Sequence, residues 1–317
     1  MATQSEKGKA FEYATAIAVQ NLYAPGIAKV IENSAFSVAQ NNFISKLSQV
    51  EQKEYQNAAS VAVSEMFKFE PTLTSDKSIL EIKLADDNAG ITGDVRDVVL
   101  TKPTLDWEIG ISCKHNHTAL KHQRLSGTID FGNSWAGYPV STSYWNKVRP
   151  IFSELNNHRI EGINWRDLST HGMDKINDVY IPILNAFLNE LNDLDSSHSD
   201  LATKFMEYLA GKNDFYKFVM NESKKTVDVY TYNLHGDLNN GGNSLTVVSL
   251  PTQFLFKGWK NNANGTQSEN TLLIKMDNNW EVSLRLHSAA SKVETSLKFD
   301  SQPLKLPSSL KKISKSY

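Results

Sequence analysis

The chain of 317 residues contains one cysteine, Cys113. A single cysteine cannot form an internal disulfide, and it excludes a zinc site built from several thiolates. This composition is typical of the cytoplasm, where we expect the protein to act. The N-terminal residues, MATQSEK, include no apolar segment of the kind that a secretory signal requires. No apolar run approaches the roughly 18 residues of a membrane-spanning helix, so no membrane association is expected.

The chain also lacks a strong excess of charge of either sign. Its 33 lysines and arginines and its 35 aspartates and glutamates give a formal net charge of -2. This balance argues against a protein that coats nucleic acid through bulk charge, but it does not exclude a nuclease, because metal-binding acids offset a local basic groove. No Gly-rich phosphate-binding loop is present, so neither a nucleotide-hydrolysing translocase nor a dinucleotide enzyme is supported.

Hydrophobic residues make up 40% of the chain and charged residues 21%, which is typical of a globular protein with a sizeable core. Apolar spacing predicts six longer helices, over Lys9–Leu22, Ser34–Leu47, Gln52–Phe67, Ser143–Leu155, Asp174–Leu194 and Leu201–Leu209. A short helix is expected at Thr118–Leu125. Loops are expected around Gly90 and Gly93 and over Phe131–Trp145.

Alternation of apolar and polar residues predicts strands, over Ser78–Ala85, Asp97–Thr101, Trp107–Lys114, Val227–Asn233, Leu245–Leu250, Phe254–Phe256, Thr271–Met276 and Trp280–Leu286. Helices and strands mix in the first part of the chain, and strands dominate the last part. We therefore expect an α/β (α+β) protein with a core over residues 1–195 and a β-rich region over residues 196–317.

Pro103 and Asp106 mark the turn of a predicted hairpin between the strands Asp97–Thr101 and Trp107–Lys114. Pairing across this turn places Asp97 opposite Ser112, on one face and roughly 5 Å apart at Cβ. Lys114 lies two residues further along the same face. A carboxylate and a lysine therefore meet at one end of a ribbon whose other face is apolar.

Hydrolysis of a phosphodiester needs this pair of groups. Carboxylate oxygens bind a hard cation such as Mg²⁺, and the cation polarises the scissile phosphate and lowers the pKa of water. A neighbouring lysine orients that water or stabilises charge in the transition state. Asp97 is therefore a candidate metal ligand and Lys114 a candidate catalytic cation. A surface ion pair is the alternative interpretation of the same pattern.

The sequence around this hairpin resembles the core of the PD-(D/E)XK nuclease superfamily. It resembles the Mrr-like form in particular, in which the position two residues before the lysine carries no carboxylate. The resemblance implies a mixed sheet flanked by helices and places Ser112, in Ser112-Cys113-Lys114, at that catalytic position. A second metal-binding acid is then needed. Gly8–Glu12 resembles the acidic first-helix motif of the superfamily, which makes Glu12 one candidate. Asp94, just before the strand, is the other.

Longer stretches resemble the HaeIII restriction endonuclease family, namely GDVRDVVL at 93–100, EIGISCKHNHTALKHQRLS at 108–126, DFG at 130–132, SYWNKVRPIF at 143–152 and WEVSLRLHSAASKVETSLKFD at 280–300. The resemblance covers most of the chain. It implies a type II enzyme that recognises GGCC, cuts between G and C with Mg²⁺, and leaves blunt ends with 5′-phosphates. It also implies a cognate DNA methyltransferase. A symmetric site favours a homodimer.

Two segments offer basic residues for double-stranded DNA. The first, residues 114–124, reads KHNHTALKHQR and holds three Lys or Arg, three His and no acid. Its candidates for phosphate contact are His115, His117, Lys121, Gln123 and Arg124, of which His117, Lys121 and Arg124 share a face of the predicted helix. In the β-rich region the candidates are Arg285, His287 and Lys292, because an arginine on a strand can read guanine. Solvated polar faces are the alternative.

Two other functions stay open on the sequence. One is an Mrr-like or repair endonuclease without fixed sequence specificity. The other is a DNA-binding module with an inactive nuclease core, which the serine at position 112 favours. An unrelated α+β protein is the least specific alternative.

Overall fold

The structure is a computed structural model that describes residues 2–24, 26–86, 94–239, 241–242 and 244–317. The chain forms two compact units that alternate along the sequence. The first contains Met1–Thr118, Gly211–Ser249 and Ser308–Tyr317, and the second contains Ala119–Ala210 and Leu250–Pro307. The sequence favoured one division near residue 195. The observed division differs because strands from the C-terminal part join the sheet of the first unit.

The first unit is built on a mixed seven-stranded sheet with the order β1-β2-β3-β4-β6-β7-β12. Its strands are β1 (Ala28–Ile31), β2 (Leu80–Leu84), β3 (Val98–Lys102), β4 (Trp107–His115), β6 (Phe215–Asn221), β7 (Thr226–Tyr232) and β12 (Lys312–Ser316). The pairs β1–β2 and β4–β6 are parallel and the other pairs are antiparallel. Helices flank this sheet, namely α1 (Gln4–Leu22), α2 (Ser34–Lys46), α3 (Gln49–Phe67) and the short α4 (Pro71–Ser75).

Helix α1 begins where the sequence provides a capping box. The Thr3 hydroxyl accepts the backbone N–H of Glu6, and the Glu6 carboxylate accepts the N–H of Thr3. One side of the helix, which includes Phe11, is buried in the core of the first unit. Thr15 on this helix lies 3.5 Å from Cys113 of β4, measured from Oγ1 to Sγ. The apolar side of β4 is thereby covered, and its other side carries the polar residues.

The second unit contains a five-stranded sheet with the order β5-β11-β10-β9-β8. Its strands are β5 (Arg124–Ser126), β8 (Phe254–Asn261), β9 (Gln267–Met276), β10 (Glu281–His287) and β11 (Ser296–Lys305), and its helices are α5 (Phe131–Ala136), α6 (Thr142–Ile160), α7 (Ile181–Ser197) and α8 (Leu201–Ala210). A 3-10 segment, Trp165–His171, and a π-helical turn, Lys175–Tyr180, precede α7. Phe299 of β11 packs on Phe187 of α7, with ring centroids 5.3 Å apart.

The structure confirms the six longer helices and the β3–β4 hairpin, in which Val98 pairs with Ile111. The helix predicted at Thr118–Leu125 is wrong. Leu120 donates to the Ser301 carbonyl, and β5 pairs with β11, so long-range pairing outweighs local helix propensity. The loop predicted at Phe131–Trp145 contains α5 and the start of α6.

The strand predicted at Leu245–Leu250 is also wrong, because this extended segment has no ladder partner and Val248 makes one bond to the Asn233 carbonyl. The loop expected around Gly90 and Gly93 lies outside the described residues.

The fold class is confirmed. A mixed sheet flanked by helices, followed by a β-rich C-terminal region, is consistent with a restriction endonuclease fold. Within the described ranges, no helix is both long enough and apolar enough to cross a membrane.

Gly110 of β4 provides a test of this packing, because the Arg96 side chain lies directly over it. A Cβ at position 110 would come within 2.0 Å of Arg96 Cδ and 2.8 Å of its Cβ. We expect Gly110→Ala to lower the free energy of unfolding by about 1–3 kcal/mol, as overpacking does. Urea denaturation measures the change. In Gly8→Ala, the control in α1, an added Cβ would meet nothing within 4 Å, so no loss is expected. Equal stability of both variants would contradict the packing.

Candidate active site

Asp97 stands at the start of β3, where its backbone N–H donates to the Ile111 carbonyl and extends the ladder. Its Oδ2 atom accepts three hydrogen bonds, from Ser112 Oγ at 3.1 Å, Cys113 N at 2.7 Å and Lys114 Nζ at 3.2 Å. The structure therefore brings the side chains of Asp97, Ser112 and Lys114 together, as the hairpin register predicts. Both Asp97 and Lys114 keep about a fifth of their side-chain surface exposed, at 22% and 21%, so neither side chain is fully buried.

The three donors fix the orientation of the Asp97 carboxylate. All three bonds fall on Oδ2, so within the described part of the chain the lone pairs of Oδ1 are left for a cation. A carboxylate held in this way loses little rotational freedom when it binds a ligand.

Glu12, a candidate for the second acid, interacts electrostatically with Asp97. It lies on the buried side of α1, with 6% of its surface exposed, and its Oε2 is 3.1 Å from Lys9 Nζ. Burial, and then the negative charge of Asp97, raise the pKa of Glu12 to about 8. Two carboxylates that disfavour each other's charge are a suitable place for a cation, because the cation removes the repulsion.

Asp94, the other candidate for the second ligand, forms an ion pair with Arg96. Arg96 donates to both of its carboxylate oxygens, from Nε to Oδ1 at 2.9 Å and from Nη2 to Oδ2 at 2.7 Å. The remaining guanidinium nitrogen of Arg96 bonds Glu108 at 2.6 Å. Binding a metal at Asp94 would require breaking a bidentate ion pair, so the geometry favours Glu12 over Asp94.

Lys114 is the cation that faces Asp97. Burial by itself would lower the pKa of Lys114, but the charges of Asp97 and Glu12 outweigh burial and the pKa is raised. The two acids therefore favour the protonated ammonium. In that form it can orient water or stabilise negative charge on a phosphate.

The donor set fits a hard divalent cation. Across the described ranges, no group of three or more His, Cys, Asp or Glu residues could hold a metal ion, so a site saturated by protein ligands is not formed. Mg²⁺ commonly uses one or two carboxylates and fills its remaining positions with water and substrate phosphate. Asp97 and Glu12 supply such a pair.

Lys217 is a residue of this site that sequence reasoning missed. The parallel pairing of β4 with β6 places Lys217 beside Ser112, on the face that carries Lys114. Its side chain is 3% exposed, and its Nζ donates to the Thr118 carbonyl at 2.6 Å. The feature of the sequence that points to Lys217 is that it is the single lysine within the apolar run FYKFVM at 215–220.

Three of the residues proposed for DNA contact are buried. His115 is 1% exposed and its two ring nitrogens face Gln4 and Glu222, at 3.4 and 3.0 Å. Gln123 bonds Ser301 at 2.8 Å. Lys121 is 9% exposed and its Nζ lies 3.6 Å from the centroid of the Tyr208 ring. The structure therefore gives no support for phosphate contact by His115, Gln123 or Lys121. The helical face expected for His117, Lys121 and Arg124 does not form, although His117 keeps part of its surface exposed.

The polar face of the second sheet gathers other predicted residues. Arg124 of β5 pairs with Lys298 of β11, which pairs with His287 of β10, so the three side chains form a row across three strands. Arg285 lies on the same face of β10, is 54% exposed at its side chain, and donates to Asp300 at 3.2 Å. We call this set, with Asp300, the basic row.

Lys292, the last of the predicted DNA-contact residues, lies outside the named strands. It is exposed and forms an isolated bridge with Asn164.

Comparison with known proteins gives a family. The profile of the HaeIII restriction endonuclease family matches residues 8–307. The type II restriction enzyme HaeIII of Haemophilus aegyptius is 33% identical over 318 aligned positions, and the match covers 96% of each chain. No solved structure matches the chain.

The two candidate second ligands are separated by Glu12→Gln and Asp94→Asn. We expect Glu12→Gln to weaken Mn²⁺ binding without DNA by at least roughly tenfold, because the site loses one carboxylate. Asp94→Asn should bind nearly as tightly as the unchanged protein. Isothermal titration calorimetry measures both. Affinity should also rise as pH increases through about 8, because protonated Glu12 competes with the cation, and Glu12→Gln should lose this rise. The reverse ranking of the two variants would assign the ligand to Asp94.

Proposed function

The chain belongs to the HaeIII restriction endonuclease family, and from this premise we propose that it cuts double-stranded DNA at GGCC, between G and C, with Mg²⁺. The products are blunt ends that carry 5′-phosphates. Family membership makes the protein a type II site-specific deoxyribonuclease, an enzyme class that generally needs divalent metal ions. The observation that carries the proposed chemistry is the convergence of Ser112, Cys113 and Lys114 on one oxygen of Asp97, beside Glu12.

In this proposal Asp97 and Glu12 hold the cation, which supplies Lewis-acid polarisation of the scissile phosphate when it is bound. Lys114 donates a hydrogen bond to the attacking water or to a non-bridging phosphate oxygen, where negative charge increases in the pentavalent transition state. Water attacks phosphorus and loses a proton to solvent, the bond to the 3′ oxygen breaks, the 3′ oxygen takes up a proton from solvent, and the phosphate stays on the 5′ end.

Ser112 takes the position of the usual acid without replacing its charge. Its hydroxyl donates to Asp97 Oδ2 at 3.1 Å, so it orients the carboxylate that holds the cation. The second negative charge comes from Glu12 on α1. This arrangement supports a catalytic centre rather than an inactive one, although position 112 carries no carboxylate.

The basic row supplies a surface for the DNA in this proposal. An arginine that is held by an aspartate, as Arg285 is by Asp300, can donate two hydrogen bonds to guanine O6 and N7. Arg124 and Lys298 suit contacts with phosphates. A two-fold symmetric GGCC site suits a homodimer with one active site per strand. Host DNA then needs protection by a methyltransferase that modifies the same sequence.

Plasmid digestion with Mg²⁺ tests the proposed function. We expect discrete fragments whose mapped ends lie between G and C of each GGCC, and no cleavage of DNA methylated at those sites. A smear of fragments would instead support a nuclease without fixed specificity. Binding without any metal-dependent cleavage would support a DNA-binding module.

Loss of Asp97 or Lys114 tests the chemistry. We expect Asp97→Asn and Lys114→Met each to lower the single-turnover cleavage rate by roughly 100-fold or more, because each removes charge from the site of the transition state. Circular dichroism should show an unchanged fold. Lys68→Met is the control, because Lys68 is an exposed lysine of the same unit that pairs with Glu65 and takes no part in the Asp97 hydrogen bonds, so no loss of rate is expected. Wild-type cleavage by either site variant would refute the assignment.

Replacement of Arg285 tests the basic row. We expect Arg285→Ala to lose about 1–3 kcal/mol of discrimination between GGCC and a site with one altered base pair. Equilibrium binding with Ca²⁺ in place of Mg²⁺ measures this difference. Arg166→Ala is the matched control, because Arg166 is an exposed arginine of the same unit that also faces an aspartate, 3.6 Å away, but lies off the sheet. Unchanged discrimination in Arg285→Ala would exclude a reading role for this face.

A further inference from the structure

The chain turns directly after His115, the last residue of β4. Asn116 takes a left-handed conformation, with φ of 57°, and its backbone N–H donates to the Met220 carbonyl at 2.8 Å. The Asn116 side chain also accepts the N–H of Glu222 at 2.8 Å. These bonds tie the end of β4 to the end of β6. We call residues 116–118 the return segment.

The return segment folds back over the polar face of the sheet. Thr118, its last residue, has its carbonyl within hydrogen-bond distance of Lys217, which lies three residues before Met220 on β6. Lys217 pairs with Ser112, and Val219, two residues further along β6, pairs with Lys114. The Thr118 carbonyl therefore lies on the side of the sheet that carries Ser112 and Lys114.

Lys217 is costly to keep in this place. Its side chain is 3% exposed, and burial, followed by the charge of Lys114, lowers the pKa of Lys217 well below its usual range. An apolar residue would suit the surrounding strand, in which Phe215, Tyr216 and Phe218 are buried. A buried amine beside a second lysine destabilises the fold unless hydrogen bonds offset the cost, and the bond to the Thr118 carbonyl is one that does so.

We propose that Lys217 is a positioning residue of the cleavage site. Its bond to the Thr118 carbonyl holds the return segment closed beside Lys114, and this keeps the end of β4 and the Lys114 ammonium against Asp97. The inference rests on the proposed function for its effect on cleavage. Lys217 acts through the backbone and through Lys114, and needs no contact with DNA.

The test compares Lys217→Met, which cannot donate a hydrogen bond, with Lys217→Arg, which can. A displacement of about 1 Å at a reacting group can cost roughly 100-fold in rate, so we expect Lys217→Met to lose about that factor in single-turnover cleavage. Its affinity for GGCC DNA with Ca²⁺ should change less than about threefold, because no DNA contact is lost. Lys217→Arg should recover most of the rate.

Lys102→Met is the matched control. Lys102 is also a fully buried lysine whose Nζ donates to main-chain carbonyls, those of Thr72 at 2.6 Å and Asp76 at 3.0 Å. It lies on β3, five residues and about 16 Å from Asp97 along the strand. We expect Lys102→Met to lower the melting temperature without lowering the cleavage rate. An equal loss of rate in both variants would make Lys217 merely structural and would overturn the proposal.

Deuterium exchange gives a readout that does not depend on cleavage. In Lys217→Met, peptides covering residues 115–119 should exchange faster than in the unchanged protein, while peptides of β7 should not. Unchanged exchange there would overturn the proposal, as would wild-type cleavage by Lys217→Met. If the unchanged protein cut no DNA, the proposed function would fail, but the exchange experiment would still decide whether Lys217 holds the return segment. If Lys217→Met does not fold, Lys217→Leu, which also cannot donate a hydrogen bond, replaces it.

Discussion

The candidate active site depends on the antiparallel pairing of β3 with β4. Their register sets Val98 opposite Ile111, and one residue earlier Asp97 meets the hydroxyl, amide and ammonium of residues 112–114. A shift of one residue would send each side chain to the other face of the sheet. Burial of Ile111 in the apolar core of the first unit resists such a shift. The packing of one face therefore fixes the chemistry of the other.

Charge is concentrated in this site at a cost to stability. Glu12 is almost fully buried, which raises its pKa, while Lys114 is held charged by the two acids. In water each group would be solvated separately, so the fold must supply the energy that brings them together. In the proposed function a divalent cation would offset part of this cost by neutralising the carboxylates, which are ligands of the kind that hard cations prefer.

The two sheets offer different surfaces. The first unit carries Asp97, Glu12 and Lys114, whose charges suit a cation and a phosphate in the proposed function. The second unit carries the basic row, whose arginines and lysine suit phosphates and guanine edges. In the proposed function, cleavage uses the acids and recognition uses the donors. A net charge of -2 is compatible with such a combination of acidic and basic groups.

The sequence by itself determined what local patterns encode. Alternating residues gave the hairpin and its register, so Asp97, Ser112 and Lys114 were found, and apolar spacing gave the six longer helices. Only the tertiary structure favours Glu12 over Asp94 as the proposed second ligand, because that preference depends on Arg96 reaching Asp94 and on α1 packing against the sheet. It also brought in Lys217, about a hundred residues from Ser112, through parallel pairing. It turned residues 118–125 from a predicted helix into a sheet edge. Two strands that are far apart in the chain carry no pattern that identifies them as partners. Their pairing stabilises the fold only when both strands are in place.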